Sequence, residues 1–410
     1  MRKDSVLAGL VFLVLASPLV AHMVSPRPVA APKGAGVGEF RESWKVLDPI
    51  TRRNLSIYPV VSSLGADTSA FLTLDEGVAS GSVKILERGQ LQGAIYRRRD
   101  SGRWPPQTEQ IPDTGGASVN ELVLVNESSR PLLLLAGEVV SGGKQNRIIG
   151  ADLLVPPKSD PVPLTVFCVE HGRWTAGGSG FGSAKAMAHP QIRMEAQANK
   201  SQQGVWNSVS RAAGALAAAS PTQDYKHVLE SPEVKQRVEE AAQSIQADYE
   251  RELREQIRGR SPVGVVVAIN GEIVWSDIFP TPDLFRRYWP KLLRSYVMEA
   301  ESRGNRIEES TWGRKLSSLP SVKQAENFLL EDRGRVSIKV EPATFRRTEV
   351  TASDYQIVAL EAIEKPDPAA ADGLMLHYNK MTRGWPLSSR TAAQGRLRLG
   401  RGRPFHFGTS

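Results

Sequence analysis

The chain is 410 residues long, 40% hydrophobic and 23% charged, with 52 Lys+Arg against 44 Asp+Glu and a net charge of +8. This composition excludes a wholly disordered chain. No apolar run reaches the ~18 residues of a spanning helix, which excludes a multi-pass membrane protein, and a lone cysteine, Cys168, excludes an intramolecular disulfide or an all-thiolate zinc site.

Met1-Arg2-Lys3-Asp4 opens the chain, followed by an apolar stretch from Val6 to Ala16 and then Ser17-Pro18-Leu19-Val20-Ala21. A basic start, an apolar centre and a small residue at its end predict a signal peptide over residues 1–21, cut after Ala21, and hence a secreted or periplasmic protein. An uncleaved N-terminal membrane anchor would need a longer apolar core. An exported chain must also keep its single thiol buried to escape oxidation. Residues 22–44 are rich in Pro, Ala and Gly without apolar periodicity and read as a linker.

The body, residues 45–380, reads as one α+β domain. Leu55 to Val61 predicts a strand, Thr73 to Glu76 has capping-box spacing, and Ser82 to Glu87 alternates. Arg98 to Gly116, broken by Pro105-Pro106 and Gly115-Gly116, reads as loop. Val119 to Val125, Pro131 to Ala136, Asn146 to Val155 and Pro163 to Val169 are short strands separated by turn compositions, which favours an antiparallel sheet, sandwich or partial barrel. Gly177 to Gly182 reads as a mobile loop, a candidate lid.

From Ser231-Pro232 a long amphipathic helix is expected, with Val234, Val238, Ala241, Ile245, Tyr249, Leu253 and Ile257 forming its apolar stripe. Asn270-Gly271 marks a hairpin between Val263–Ala268 and Glu272–Trp275. Leu284 to Ala300 and Val322 to Asp332 predict two further helices. Arg335 to Val340, Thr348 to Ala352, Gln356 to Ile363 and Met375 to Asn379 predict late strands that can rejoin the early sheet.

Residues 381–410 read as a basic disordered tail. Six arginines and no acid lie between Thr382 and Ser410, and with the basic start they account for nearly all of the net charge. The folded body is therefore close to neutral and is not expected to bind nucleic acid, whereas the tail suits an anionic surface. Oligomeric state is not legible.

Two segments concentrate polar chemistry: Leu135-Ala136-Gly137-Glu138 leading to Gly142-Gly143-Lys144-Gln145-Asn146-Arg147, and Phe167-Cys168-Val169-Glu170-His171-Gly172-Arg173-Trp174. With Asn270-Gly271 and the segment from Phe285 to Ala300, they resemble the ADP-ribosylglycohydrolase- and rhodanese-phosphatase-associated protein domain family over about residues 45 to 380. That family is of uncharacterised function. Its name reflects the company of NAD- and ADP-ribose-linked enzymes, so the resemblance implies a link to such ligands.

Read physically, period 2 along the strand places Leu164, Val166, Cys168 and Glu170 on one face, and Gln145 with Arg147 opposite Lys144 and Asn146. Strand pairing could set Arg147 or Arg173 beside Glu170 or Glu138, where an arginine fork fits a carboxylate or phosphate. The expected ligand-binding residues are Lys144, Gln145, Asn146, Arg147, Arg173 and Trp174, holding a small anionic or nucleotide-like ligand. Glu138 and Glu170 are the candidate acid and base of a metal-independent hydrolase. A structural or interaction protein of the cell envelope is the third reading, in which these charges neutralise one another. No cofactor or metal is expected. Cys168 is read as buried and unreactive, and His189, His227 and His377 as surface or packing residues.

Overall fold

A computed structural model describes residues 36–87, 95–99, 107–111, 121–172, 180–256, 261–304, 319–341, 344–363 and 373–384. The expected signal peptide and cleavage site, most of the stretch expected as linker and the expected basic tail from residue 385 lie outside them. Val37–Ser43 forms a helix (α1) inside the stretch read as linker, because Phe40 anchors it to the core at 0% exposure.

Trp44–Val46 (β1), Ile50–Arg52 (β2), Leu55–Ser62 (β3) and Leu72–Thr73 (β4) precede the short helix Leu74–Ala79 (α2). The expected capping box starts α2: the Glu76 amide donates to Thr73 Oγ1 at 3.4 Å and the Thr73 amide to Glu76 Oε2 at 3.0 Å. Val83–Glu87 (β5) follows the predicted alternation. Ile95–Arg99 (β6) and Gln107–Ile111 (β7) pair as a hairpin that reaches into the region read as loop, Arg98 to Gly116. Their backbone pairing needs no apolar period, and the Pro105-Pro106 breaker falls between them.

Next come Glu121–Asn126 (β8), Leu132–Leu134 (β9), Glu138–Gly142 (β10), Arg147–Ile149 (β11), Leu153–Val155 (β12), Val162–Cys168 (β13) and Gly180–Met187 (β14). The run expected as one strand from Asn146 to Val155 is two strands in different sheets. It breaks at Gly150, where a Cβ would lie 2.9 Å from the Phe167 ring. The expected Gly177–Gly182 loop is strand from Gly180 onward. Opposite it, a Cβ on Gly142 would sit 2.5 Å from the Gly180 carbonyl oxygen, so close backbone approach accounts for glycine there.

Three helices have no counterpart in the sequence reading: Pro190–Gln197 (α3), Gln202–Ala215 (α4) and Tyr225–Glu230 (α5). The Ala, Ser, Gln and Gly content of α4 dilutes its helical period, and α3 and α5 span only eight and six residues. Pro232–Gln256 (α6) is the long helix, burying Val234, Val238, Ile245 and Tyr249. Gly264–Ile269 (β15) and Glu272–Ile278 (β16) turn through Asn270 (φ 53°) and Gly271 (φ 80°), the two left-handed residues that an Asn-Gly hairpin requires. Pro282–Arg303 (α7), Val322–Leu330 (α8), Arg335–Glu341 (β17), Phe345–Thr351 (β18), Tyr355–Ile363 (β19) and Gly373–Thr382 (β20) complete the described chain.

The fold is α+β. A nine-stranded sheet runs β1-β3-β15-β16-β20-β19-β18-β17 with β2 also on β3, so the late strands do rejoin the early ones. β10-β11-β13-β8-β5-β14 close into a six-stranded antiparallel barrel. Its interior is filled by Ile85, Leu122, Leu124, Val140, Leu164 and Val166. The main core joins one sheet face (Val265, Val267) to α7 (Tyr288, Leu292, Tyr296) and to the barrel's outer residues (Val139, Ile148, Phe167). The other sheet face is covered by Phe40 of α1 and by Ala325 and Leu329 of α8. Among the described residues no helix is long and apolar enough to cross a membrane.

Candidate functional site

Barrel pairing brings part of the polar motif together. Arg147 is the register partner of Cys168, and β13 leads straight to Glu170. The Asn146 amide donates to Glu170 Oε2 at 3.3 Å, Gln145 Nε2 donates to the Glu170 carbonyl at 2.8 Å, and Asn146 Nδ2 donates to Asp224 Oδ1 at 3.0 Å. Asp224 is also the N-cap of α5, accepting from the Lys226 amide. The Cys168 thiol donates to Gln145 Oε1 at 3.1 Å; burial pushes its pKa up, as expected of an inert thiol. Gln202 of α4 clasps the Cys168 backbone from both sides, accepting at 2.9 Å and donating at 2.8 Å.

Gln145, Asn146, Arg147 and Glu170 are thus 5%, 3%, 0% and 3% exposed; hydrogen bonds from Asn146 tie the ends of β11 and β13 to α5, and the Cys168 backbone is tied to α4. Lys144 is half-buried and gives its backbone amide to Glu87 Oε1 at 3.1 Å. Arg173 and Trp174 lie outside the described residues.

Glu138 belongs to a different network. It bonds to Lys291 of α7 rather than to either expected arginine, because β10 pairs with β14 and packs toward α7. Lys291 Nζ donates to Glu138 Oε1 and, at 3.0 Å, to Asp75 Oδ2; Glu138 Oε2 accepts the Leu135 amide at 2.8 Å. Burial opposes the Lys291 charge, but Glu138 and then Asp75 outweigh it and raise the lysine pKa. Burial pushes the Glu138 carboxyl up, against the pull of Lys291.

Beside this network β14 bulges. Glu138 pairs with Met187 and Val140 with Ser183, so three residues, Ala184 to Ala186, face the single Val139. Lys185 at the centre takes φ 51°, an uncommon conformation for a side chain of its size. Ser183 secures the bulge, donating to Asp75 Oδ1 at 2.5 Å and accepting the Lys185 amide at 3.0 Å.

The bulge forms one wall of a groove of about 390 Å³ between β14, α5, α6 and α7. Among the described residues, Lys185, Lys226, Lys235, Lys291 and Arg294 line it with Glu230 and Glu239, over an apolar floor that includes Met187, Val238 and Met298. Arg294 pairs with Glu239 and Lys226 with Glu230. Lys185 and Lys235 are exposed and make no ion pair among the described residues. Among the described residues no aromatic side chain lines the groove.

Sequence reasoning missed the most densely bonded carboxylate. Asp277 of β16 accepts from Arg193 (2.8 and 2.9 Å), His377 Nε2 (3.1 Å), Asn379 (2.9 Å), Trp275 (3.0 Å) and the Tyr296 hydroxyl. His377 Nδ1 lies 2.7 Å from Asp152, so this histidine is a charge partner rather than a simple packing residue. His189 is also buried, its Nδ1 2.9 Å from the Tyr225 hydroxyl. The available signal was an acid within two residues of Trp275 and beside Ile278 in a strand of mainly apolar residues, since burial without a partner is costly. Among the described residues no group of three or more His, Cys, Asp or Glu is placed to hold a metal ion.

A family model described as the ARG and Rhodanese-Phosphatase-superfamily-associated Protein domain matches residues 43–369. Neither a curated protein nor a solved structure matches the chain.

Proposed function

The chain belongs to that family, and we propose that its domain binds a small, multiply charged anion in the lysine-lined groove. The observation that carries the proposal is the bulge in β14, which holds Lys185 in a left-handed conformation on the groove wall. Strained residues and bulges concentrate where a side chain must be aimed. Lys235 on α6 supplies a second cation without an ion pair, while the deeper Lys291 ammonium is held by Glu138 and Asp75. Lysine suits this role as a point charge on a flexible stem. With no aromatic side chain among the described residues of its walls, the groove favours the phosphate portion of a nucleotide or sugar phosphate over its base.

The Gln145/Asn146/Arg147/Glu170 cluster supports the same division of labour, because its hydrogen bonds brace the barrel against α5, as those of the neighbouring Cys168 backbone brace it against α4. Glu138 and Glu170 are 1% and 3% exposed and bond to separate partners, which favours bracing over paired acid–base hydrolysis. Export through the basic, apolar leader ending at Ala21 is part of the proposal, and N-terminal sequencing of the secreted chain tests it.

A thermal-shift panel of phosphate, pyrophosphate, a sugar phosphate and ADP-ribose tests the binding. Ligand that binds only the native state raises the transition by mass action. The expected stabilisation grows with the number of phosphate charges and shrinks as salt screens them. No response to any of the four would contradict the proposal.

A further inference from the structure

We infer that a second copy of this chain docks on β17, edge to edge and antiparallel, so that the nine-stranded sheet continues across a two-fold axis. β17 closes one end of that sheet: it pairs with β18 on one side and with nothing among the described residues on the other. An edge of this kind presents a free row of backbone donors and acceptors. Most edges are blunted by shortness, proline or inward charge, whereas β17 runs seven residues, Arg335-Val336-Ser337-Ile338-Lys339-Val340-Glu341, without proline.

Its side chains are the second observation. Val336 and Ile338 are 56% and 55% exposed, two of the four exposed large apolar residues among those described. Cross-strand register places Val336 opposite Val350 and then Ile357, and Ile338 opposite Thr348 and then Ala359. Val350, Ile357 and Ala359 belong to the core beneath α1 and α8. The apolar face of the sheet therefore runs outward past its cover and ends uncovered on β17.

The occupant follows from the strand's own sequence, which is complementary to itself in reverse. With Ile338 on the two-fold axis, Ile338 meets its copy and each Val336 meets a Val340 on the apolar face. On the opposite face each Arg335 meets a Glu341, and each Ser337 meets a Lys339. Neither Arg335 nor Glu341 has an ion pair among the described residues, so both are available for a partner. A two-fold axis requires this self-complementarity, and opposite charges facing each other across strands favour the pairing. A single strand pair is a small interface, so the dimer is concentration-dependent.

Sedimentation velocity of the full chain over a wide concentration range tests this. The expected result is a reversible monomer–dimer equilibrium, abolished by Ile338→Lys, which sets two ammonium groups against each other on the axis. Arg335→Glu is expected to weaken the dimer by at least tenfold, and the double variant Arg335→Glu with Glu341→Arg to restore it. Circular dichroism on each variant checks that the fold is retained. A chain that stays monomeric throughout, a dimer indifferent to Ile338→Lys, or a charge swap that fails to rescue would each overturn the inference.

Discussion

Arg193 of α3 grips Asp277 of β16 through two parallel hydrogen bonds, Nη1 to Oδ2 at 2.8 Å and Nη2 to Oδ1 at 2.9 Å, and both side chains are 0% exposed. The guanidinium also stands 4.7 Å from the Trp275 ring centroid and donates to the Ala136 carbonyl at 3.2 Å. One ion pair therefore ties the sheet, the barrel connection before β10 and the helical layer at a single point. Arg193 holds the Asp277 carboxyl well below the usual carboxylate range, against the opposing effect of burial.

Removing one partner of such a pair strands the other charge in the core. Arg193→Ala is expected to destabilise the fold by about 3–5 kcal/mol. Chemical denaturation, read as a change in midpoint at constant slope, measures it.

His377 gives the pH dependence. Burial works against its charge, but Asp152 and Asp277 outweigh it and raise its pKa from 6.5 to about 9. The folded state thus holds a proton that the unfolded state releases. The stabilisation is complete below pH 6.5 and is lost as pH rises through about 9. It amounts to about 3 kcal/mol. Lys380, pushed down to about 8 by burial, acts in the opposite sense from that pH upward. The measurement is therefore the difference between wild type and His377→Gln from pH 6 to pH 9, in which the wild-type excess should shrink steadily.

Lys291 and Glu138 form a second buried pair. Lys291→Met leaves the Glu138 carboxylate without its ammonium partner and is expected to be destabilising by about 3–5 kcal/mol, whereas adding Glu138→Leu should recover most of that loss. A double-mutant cycle in denaturant reads the coupling.

Lys185 couples strain to the proposed binding. Lys185→Gly relieves a left-handed backbone at φ 51° and is expected to stabilise the fold by about 1 kcal/mol while weakening anion binding. Equal loss of both properties would show the bulge to be purely structural.

Local physics made much of the fold legible. Thr73 and Glu76 cap α2, Asn270-Gly271 turns the hairpin, and Val234 to Tyr249 mark the buried face of α6, because each signal lies within a few residues of its effect. α4 escaped notice because Gly204, Ser208, Gly214 and its alanines leave little apolar contrast between its faces. The site was only partly legible for a different reason. Asn146 and Glu170 meet through adjacent barrel strands, but Glu138 finds Lys291, and Arg193 finds Asp277, only through tertiary packing between distant segments. The bulge at Lys185 follows from a register mismatch between β10 and β14, which no single strand encodes.

Isothermal titration of pyrophosphate into the wild-type chain and into the Lys185→Ala/Lys235→Ala double variant tests the anion-binding groove most directly. The groove predicts saturable, salt-sensitive binding at one site per chain that falls at least tenfold in the variant, with the unfolding transition retained. Absence of binding to the wild type, or equal affinity in both proteins, would contradict it.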